Sequence, residues 1–230
     1  MINFNLMILA AGYGKRMKNL TDSKPKPLLE INNKELLRHN IDFFMDLGCK
    51  DIVINTHYLH KQIKNFVEKY YSNSNIQLTH ETTLLNTGGG IKNALSLLGY
   101  KNFLVTNADI LWKKENKKDV LNFINKYQEI QTCKLLLAKD INFKGLKKSI
   151  GDFKLENGLA QRWKKNDPHL YYTGLQIINP HIFKLIEDKC FSLNVLWDLL
   201  IANRNLFANV SNSTIVHIGD INALNKFKDD

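Results

Sequence analysis

The stretch LAAGYGKRM, Leu9 to Met17, follows an apolar run and packs two glycines, a lysine and an arginine into one turn. LMILAA, Leu6 to Ala11, reads as a short buried strand, so Gly12 and Gly14 stand where the chain leaves a sheet. Glycines at such a point let backbone N–H groups come close to a phosphate. A dinucleotide fingerprint would need a third glycine where Met17 stands and an acid at the end of the next strand, where Asn55 stands. A Walker A loop would need Gly-Lys-Ser/Thr, which is also absent. The turn offers positive charge instead, in Lys15 and Arg16, and this combination argues for a phosphate-bearing ligand and against NAD.

Three further elements lie downstream. In KPKPLLEI, Lys26 sits between Pro25 and Pro27, and proline restricts both itself and the residue before it, so Lys26 is expected on a stiff extended backbone. A cation so mounted can serve as a preorganised electrostatic group. NTGGGIKNAL sets Gly88 to Gly90 at a helix start that Thr87 can cap; three glycines cost helix stability, and close approach of a flat base or a sugar is the expected reason. VTNAD places Asp109 at the carboxyl end of a buried strand, where a carboxylate can hold Mg²⁺ and through it phosphate oxygens.

Between these elements, strand and helix patterns alternate. Leu37, Ile41 and Phe44 recur at helical spacing with Gly48 to end the helix, DIVINT and IQLTHE read as strands, LHKQIKNFVEKYY reads as an amphipathic helix, and NFLVTNAD reads as a buried strand. Repeated β-α-β units imply an α/β fold: a Rossmann-like, mostly parallel mixed sheet with helices on both faces and ligands beyond the strands' carboxyl ends. After about residue 140 the pattern loosens into a small strand-rich portion, with a hairpin at Asn157-Gly158, a strand YYTGLQIIN, helices in PHIFKLIED and VLWDLLIANRN, a late strand STIVHIGD and a short terminal helix. No repeat or linker interrupts the 230 residues, so a single domain is expected, with a nucleotide-binding half over 1–110 and a sugar-binding half over 140–230.

The composition bounds the class. With 44% hydrophobic residues the chain can bury a core, and its net charge of +10 comes from scattered lysines whose clusters are doublets such as Lys113/Lys114, Lys117/Lys118, Lys147/Lys148 and Lys164/Lys165. No block of basic and aromatic residues is present, so no nucleic-acid partner is expected. Cys49, Cys133 and Cys190 are far apart and form no CxxC, which fits reduced thiols in the cytoplasm; the apolar start is too short for a membrane span, and no membrane partner is expected.

The four elements, in this order and spacing, resemble the sugar-1-phosphate nucleotidyltransferases, over nearly the whole chain. TGGGI and FSLNVLWDLLIA, Phe191 to Ala202, look most like the N-acetylmuramate 1-phosphate uridylyltransferases of cell-wall recycling. The resemblance implies an enzyme of the EC 2.7.7 type, with Mg²⁺ as cofactor, small-molecule substrates as partners, and a monomer or small homo-oligomer. It assigns Leu9, Ala10, Ala11, Gly12, Gly14, Lys15, Thr87, Gly88 and Asn107 to the nucleotide, Glu81 to the N3–H of uracil, and Arg16 and Lys26 to catalysis. It assigns Asp109, Thr173, Gly174 and Asn194 to the sugar, with a helix cap as the alternative for Asn194. Asp109 is the implied metal ligand. The family often writes Glu where Asn86 stands, and its second metal-binding Asp is replaced by His217 in HIGD, leaving three options: no second ligand, His217 on phosphate or metal, or Asp220. Other readings kept open are a guanylyl- or cytidylyltransferase for a heptose, mannose or choline phosphate, and an inactive relative that binds nucleotide sugars.

Overall fold

The computed structural model describes residues 4–128, 132–145 and 148–228; Lys147 of the doublet noted above lies outside the described residues. The centre is a nine-stranded sheet built from β1 (Leu6–Leu9), β2 (Asp51–Thr56), β3 (Asn75–His80), β4 (Phe103–Asn107), β5 (Cys133–Lys139), β6 (Phe153–Glu156), β7 (Leu159–Arg162), β8 (Leu170–Ile178) and β9 (Leu206–Ser211). Its order is β6-β7-β9-β5-β8-β4-β1-β2-β3. Strands β4, β1, β2 and β3 are mutually parallel, as β-α-β connection requires, whereas β8 runs antiparallel to both β4 and β5. Strands β6 to β9 of the C-terminal portion therefore continue the same sheet, whereas the late strand Ile215–His217 joins a separate three-stranded sheet with Ile110–Leu111 and Phe143–Lys144.

Alternation along the strands feeds two cores. Leu6 and Ile8 face a layer made by α1 (Leu36–Asp46), α2 (His60–Tyr71) and α4 (Lys117–Asn125), through Leu37, Ile41, Phe44, Ile63, Phe66 and Phe123. Met7, Val53 and Val105 face the other layer, made by α3 (Asn86–Leu98) and α5 (Leu193–Ala202), through Ile91, Ala94, Leu196 and Leu200. A period of two in the strands and of 3.6 in the helices puts both sets inward. The expected helix in PHIFKLIED is a 3-10 turn, Pro180–Leu185, and the terminal helix α6 is Ile221–Lys226.

Two strands, β5 and β9, and helix α4 had no counterpart in the sequence pattern. In β5 the apolar run is broken by Lys134, which is nonetheless buried. Its ammonium donates to the carbonyls of Phe123 and Lys126 at the end of α4, at 3.4 and 2.8 Å, which places a cation at a helix C-terminus. Burial, and then the nearby Lys126 charge, lower its pKa to about 8.

Candidate active site

Strand register alone assembles the rim of the site. Leu9 pairs with Asn55 on one side and Asn107 on the other, so the carboxyl ends of β1, β2 and β4 lie abreast. There a cleft of about 380 Å³, a size suited to a small-molecule ligand, is lined by residues that include Leu9, Ala10, Ala11, Gly12, Gly14, Lys15, Arg16, Lys26, Asn55, Thr87, Asn107 and Asp109. The structure thus brings together most of the residues singled out from sequence.

The glycine turn has two different glycines. Gly14 is left-handed, at φ 69°, and a Cβ there would stand 2.9 Å from Cβ of Lys26. Gly12 faces open space, with nothing within 4 Å of such an atom, so its missing side chain keeps the cleft free. The Ala10 N–H is fixed by Asn55, whose Oδ1 accepts it at 2.9 Å. Among the described residues neither Lys15 nor Arg16 has a carboxylate partner, which leaves two cations turned to a cleft without a protein counter-ion.

Lys26 opens a 3-10 turn, Lys26–Leu28, and does not lie on extended backbone; the extended residue is Pro25, at φ −67° and ψ 143°. Its rigidity comes from Leu28 and Leu29 N–H groups donating to the carbonyls of Pro25 and Lys26 at 2.9 and 3.0 Å. The ammonium lies 2.5 Å from Asp109 Oδ2. Burial alone would raise the Asp109 carboxyl, but Lys26 and then His217, by charge and hydrogen bond, hold it well below the usual carboxylate range. A carboxylate so held can only accept, so His217 Nε2, 3.2 Å away, donates to it. Nε2 is thus occupied by Asp109, while Nδ1 is buried without a partner among the described residues. Asp220 caps α6 by accepting the Ala223 N–H and does not line the cleft, so the structure gathers neither candidate as a second ligand.

The fit of Mg²⁺ rests on Asp109. Its Oδ2 takes Lys26 and His217, while its Oδ1 has no protein partner among the described residues. No group of three or more His, Cys, Asp or Glu able to hold a metal occurs among those residues. One carboxylate oxygen, with phosphate oxygens and water supplying the rest, is a donor set that Mg²⁺ accepts.

Five residues expected at the ligand make bonds or packing contacts within the chain and do not line the cleft. Glu81 is buried, with its carboxylate accepting from Asn55 Nδ2 at 2.7 Å and the Leu85 N–H at 2.9 Å; it braces the rim from behind, and Leu84 and Asn86 line the cleft at that end. The triglycine run is explained by the chain's own approach, not a ligand's. A Cβ on Gly88 would stand 2.3 Å from the Phe191 ring, and one on Gly89 2.2 Å from the Lys189 carbonyl oxygen. Both N–H groups donate to the Phe191 carbonyl, at 2.9 and 3.0 Å. Thr87 lines the cleft but does not cap α3; its hydroxyl accepts the Leu193 N–H at 2.9 Å. Thus TGGGI and FSLN form one junction. Thr173 is fully buried and donates to the Leu136 carbonyl at 2.8 Å, and Gly174, at φ 85° in the β8 bulge, packs against Ile110 and Asn107. Asn194 is exposed and held by Arg162 Nη2 at 3.0 Å; the cap of α5 is Ser192.

The sequence and the fold match known proteins. The family described as nucleotidyl transferase matches residues 5–142. The N-acetylmuramate alpha-1-phosphate uridylyltransferase of Caulobacter vibrioides is 30% identical over 93% of this chain and 91% of its own. The mannose-1-phosphate guanylyltransferase catalytic subunit beta of Dictyostelium discoideum is 29% identical over 81% of this chain, which spans about half, 53%, of that protein. The crystal structure of HddC from Yersinia pseudotuberculosis, complexed with GMP-PN, shares the fold with a TM-score of 0.77 at 22% identity, over 97% of each chain.

Proposed function

We propose, since this chain belongs to the nucleotidyl transferase family and is a sugar-1-phosphate nucleotidyltransferase, that it joins UTP to N-acetylmuramate 1-phosphate, releasing pyrophosphate, in the recycling of cell wall. The chemistry rests on the cleft itself, whose lining holds Lys15, Arg16 and Lys26 and one carboxylate, Asp109, paired with Lys26. The choice of uridine and muramate is supported by the relative that matches along both lengths and by the TGGGI-FSLN junction.

In this reading a sugar-phosphate oxygen attacks the α-phosphorus of the nucleotide and pyrophosphate leaves. The nucleophile is already an anion, so the protein's task is alignment and charge neutralisation, with no general base. The N–H groups of the Gly12–Gly14 turn, with Lys15 and Arg16, take the triphosphate, and the base rests at the Leu84 and Asn86 end of the cleft. Lys26 faces the oxygens where charge develops. Asp109 would hold Mg²⁺, which when bound adds positive charge to the phosphates. The nucleotide then occupies the 1–110 half, with the sugar beyond Asp109, toward Gly219.

The test is the rate of pyrophosphate release with Mg²⁺ for UTP, GTP, CTP and dTTP, each paired with the 1-phosphates of N-acetylmuramate, N-acetylglucosamine and mannose. The expected outcome is the highest kcat/KM for UTP with the muramate compound, by about tenfold or more, the scale of one well-made contact. A lead for GTP with mannose 1-phosphate would replace the substrates and keep the reaction. No release with any pair would assign the chain to binding alone.

A further inference from the structure

We infer that Asn40, on α1 and outside the cleft, is a positioning residue that aims Asp109 into it; this rests on the reading that Asp109 serves the transfer. Asn40 is fully buried, and it falls inside the apolar stripe of α1, with Leu36 and Phe44 one turn to either side. Its side-chain amide nitrogen donates to the Ile110 carbonyl at 2.9 Å and the Ala108 carbonyl at 3.3 Å, as well as to Leu36 of its own helix at 3.0 Å. The two carbonyls it holds belong to the residues on either side of Asp109.

The carbonyl of Asp109 is held as well, accepting the Ile218 N–H at 2.8 Å, and the Ala108 N–H donates to the Leu9 carbonyl at 3.1 Å. Every backbone carbonyl of 108–110 is therefore occupied on the protein side of the turn, by α1 or by the strand Ile215–His217 and its continuation. With the backbone pinned this way, the Asp109 side chain lines the cleft between Lys26 and His217. A polar side chain buried in an apolar stripe is costly; here Oδ1 has no partner among the described residues, and two of the three contacts of the amide nitrogen go to one turn. Loss of the amide would let that turn rotate, and misplacement by about an ångström is enough to slow an aligned reaction by up to about a hundredfold.

The experiment compares Asn40→Leu with Asn116→Leu and Asp109→Asn, by thermal unfolding and by steady-state kinetics with UTP and the sugar phosphate. Asn116 is also fully buried and bonds the Thr214 carbonyl and the Lys113 N–H, so it reports the cost of losing a buried amide that does not hold the 108–110 turn. Both Asn→Leu variants are expected to melt at lower temperature, while Asn40→Leu alone lowers kcat, by about tenfold to a hundredfold, with KM for UTP within about twofold. It is also expected to raise the Mg²⁺ concentration at which added Mg²⁺ shifts the melting temperature. Should Asn40→Leu fail to fold, Asn40→Ser, which keeps one donor, is expected to lower kcat by about threefold to tenfold. A kcat within twofold of wild type in the folded Asn40 variant, or an equal loss in Asn116→Leu, overturns the inference. Undiminished turnover by Asp109→Asn would overturn the reading of Asp109 and the inference with it, whereas loss in Asp109→Asn alone would leave the reading standing and remove only Asn40.

Discussion

Replacing Lys26 by alanine is expected to lower kcat by about 10²–10³, with KM for UTP changed by no more than a few-fold. Lys26 is fixed by its 3-10 turn and reaches the one carboxylate of the cleft, so its charge sits where the reacting phosphates would meet. In the proposed mechanism triphosphate affinity falls chiefly to Lys15, Arg16 and the turn N–H groups, and an interaction made only as charge develops shows in kcat rather than in KM. Lys26 holds Asp109 in the present arrangement, so arrival of a phosphate also changes which anion it faces. Steady-state kinetics measure both constants; a near-normal kcat would remove Lys26 from the role.

Gly89→Ala is expected to cost about 2–4 kcal/mol and to lower Tm by about 5–15 °C, the range for overpacking a tight contact in a chain of this size. The added Cβ would stand 2.2 Å from the Lys189 carbonyl oxygen. That atom is backbone and cannot rotate away. Lys92 also fixes this segment, its ammonium donating to the carbonyls of Ile186, Glu187 and Asp188. Relief requires α3 and the 186–193 segment to separate, breaking the N–H bonds of Gly88 and Gly89 to the Phe191 carbonyl. Thermal unfolding reads the effect; a Tm within about 2 °C of wild type would mean that the junction yields freely.

The glycine turn, the alternating β-α-β pattern and the hairpin were legible because each is a local signal. At the hairpin, Asn157 and Gly158 take φ values of 50° and 80°, the two left-handed positions that a tight two-residue hairpin turn demands. What was not legible depends on partners far away in sequence. Thr173, Glu81 and Gly88 carry residue types suited to binding, yet their bonds go to Leu136, to Asn55 and Leu85, and to Phe191. A sequence shows a polar group but not whether the fold has already used it. Lys134 hid β5 for the converse reason, since a buried lysine breaks the expected apolar run. Asn40 did leave a signal, a polar residue within the apolar stripe of α1, and Asn55 stood in the position at which a dinucleotide fold would place its acid.

On the proposed mechanism, transfer takes place in the cleft at the carboxyl ends of β1 and β4. A crystal structure of the chain with its nucleotide-sugar product bound would locate the reacting groups. The expected result has the diphosphate within hydrogen-bond reach of Arg16 and Lys26, the base against Leu84 and Asn86, and the sugar beyond Asp109. A product seated elsewhere, for example in the groove between Leu95 and Phe183, with the cleft empty, would contradict it.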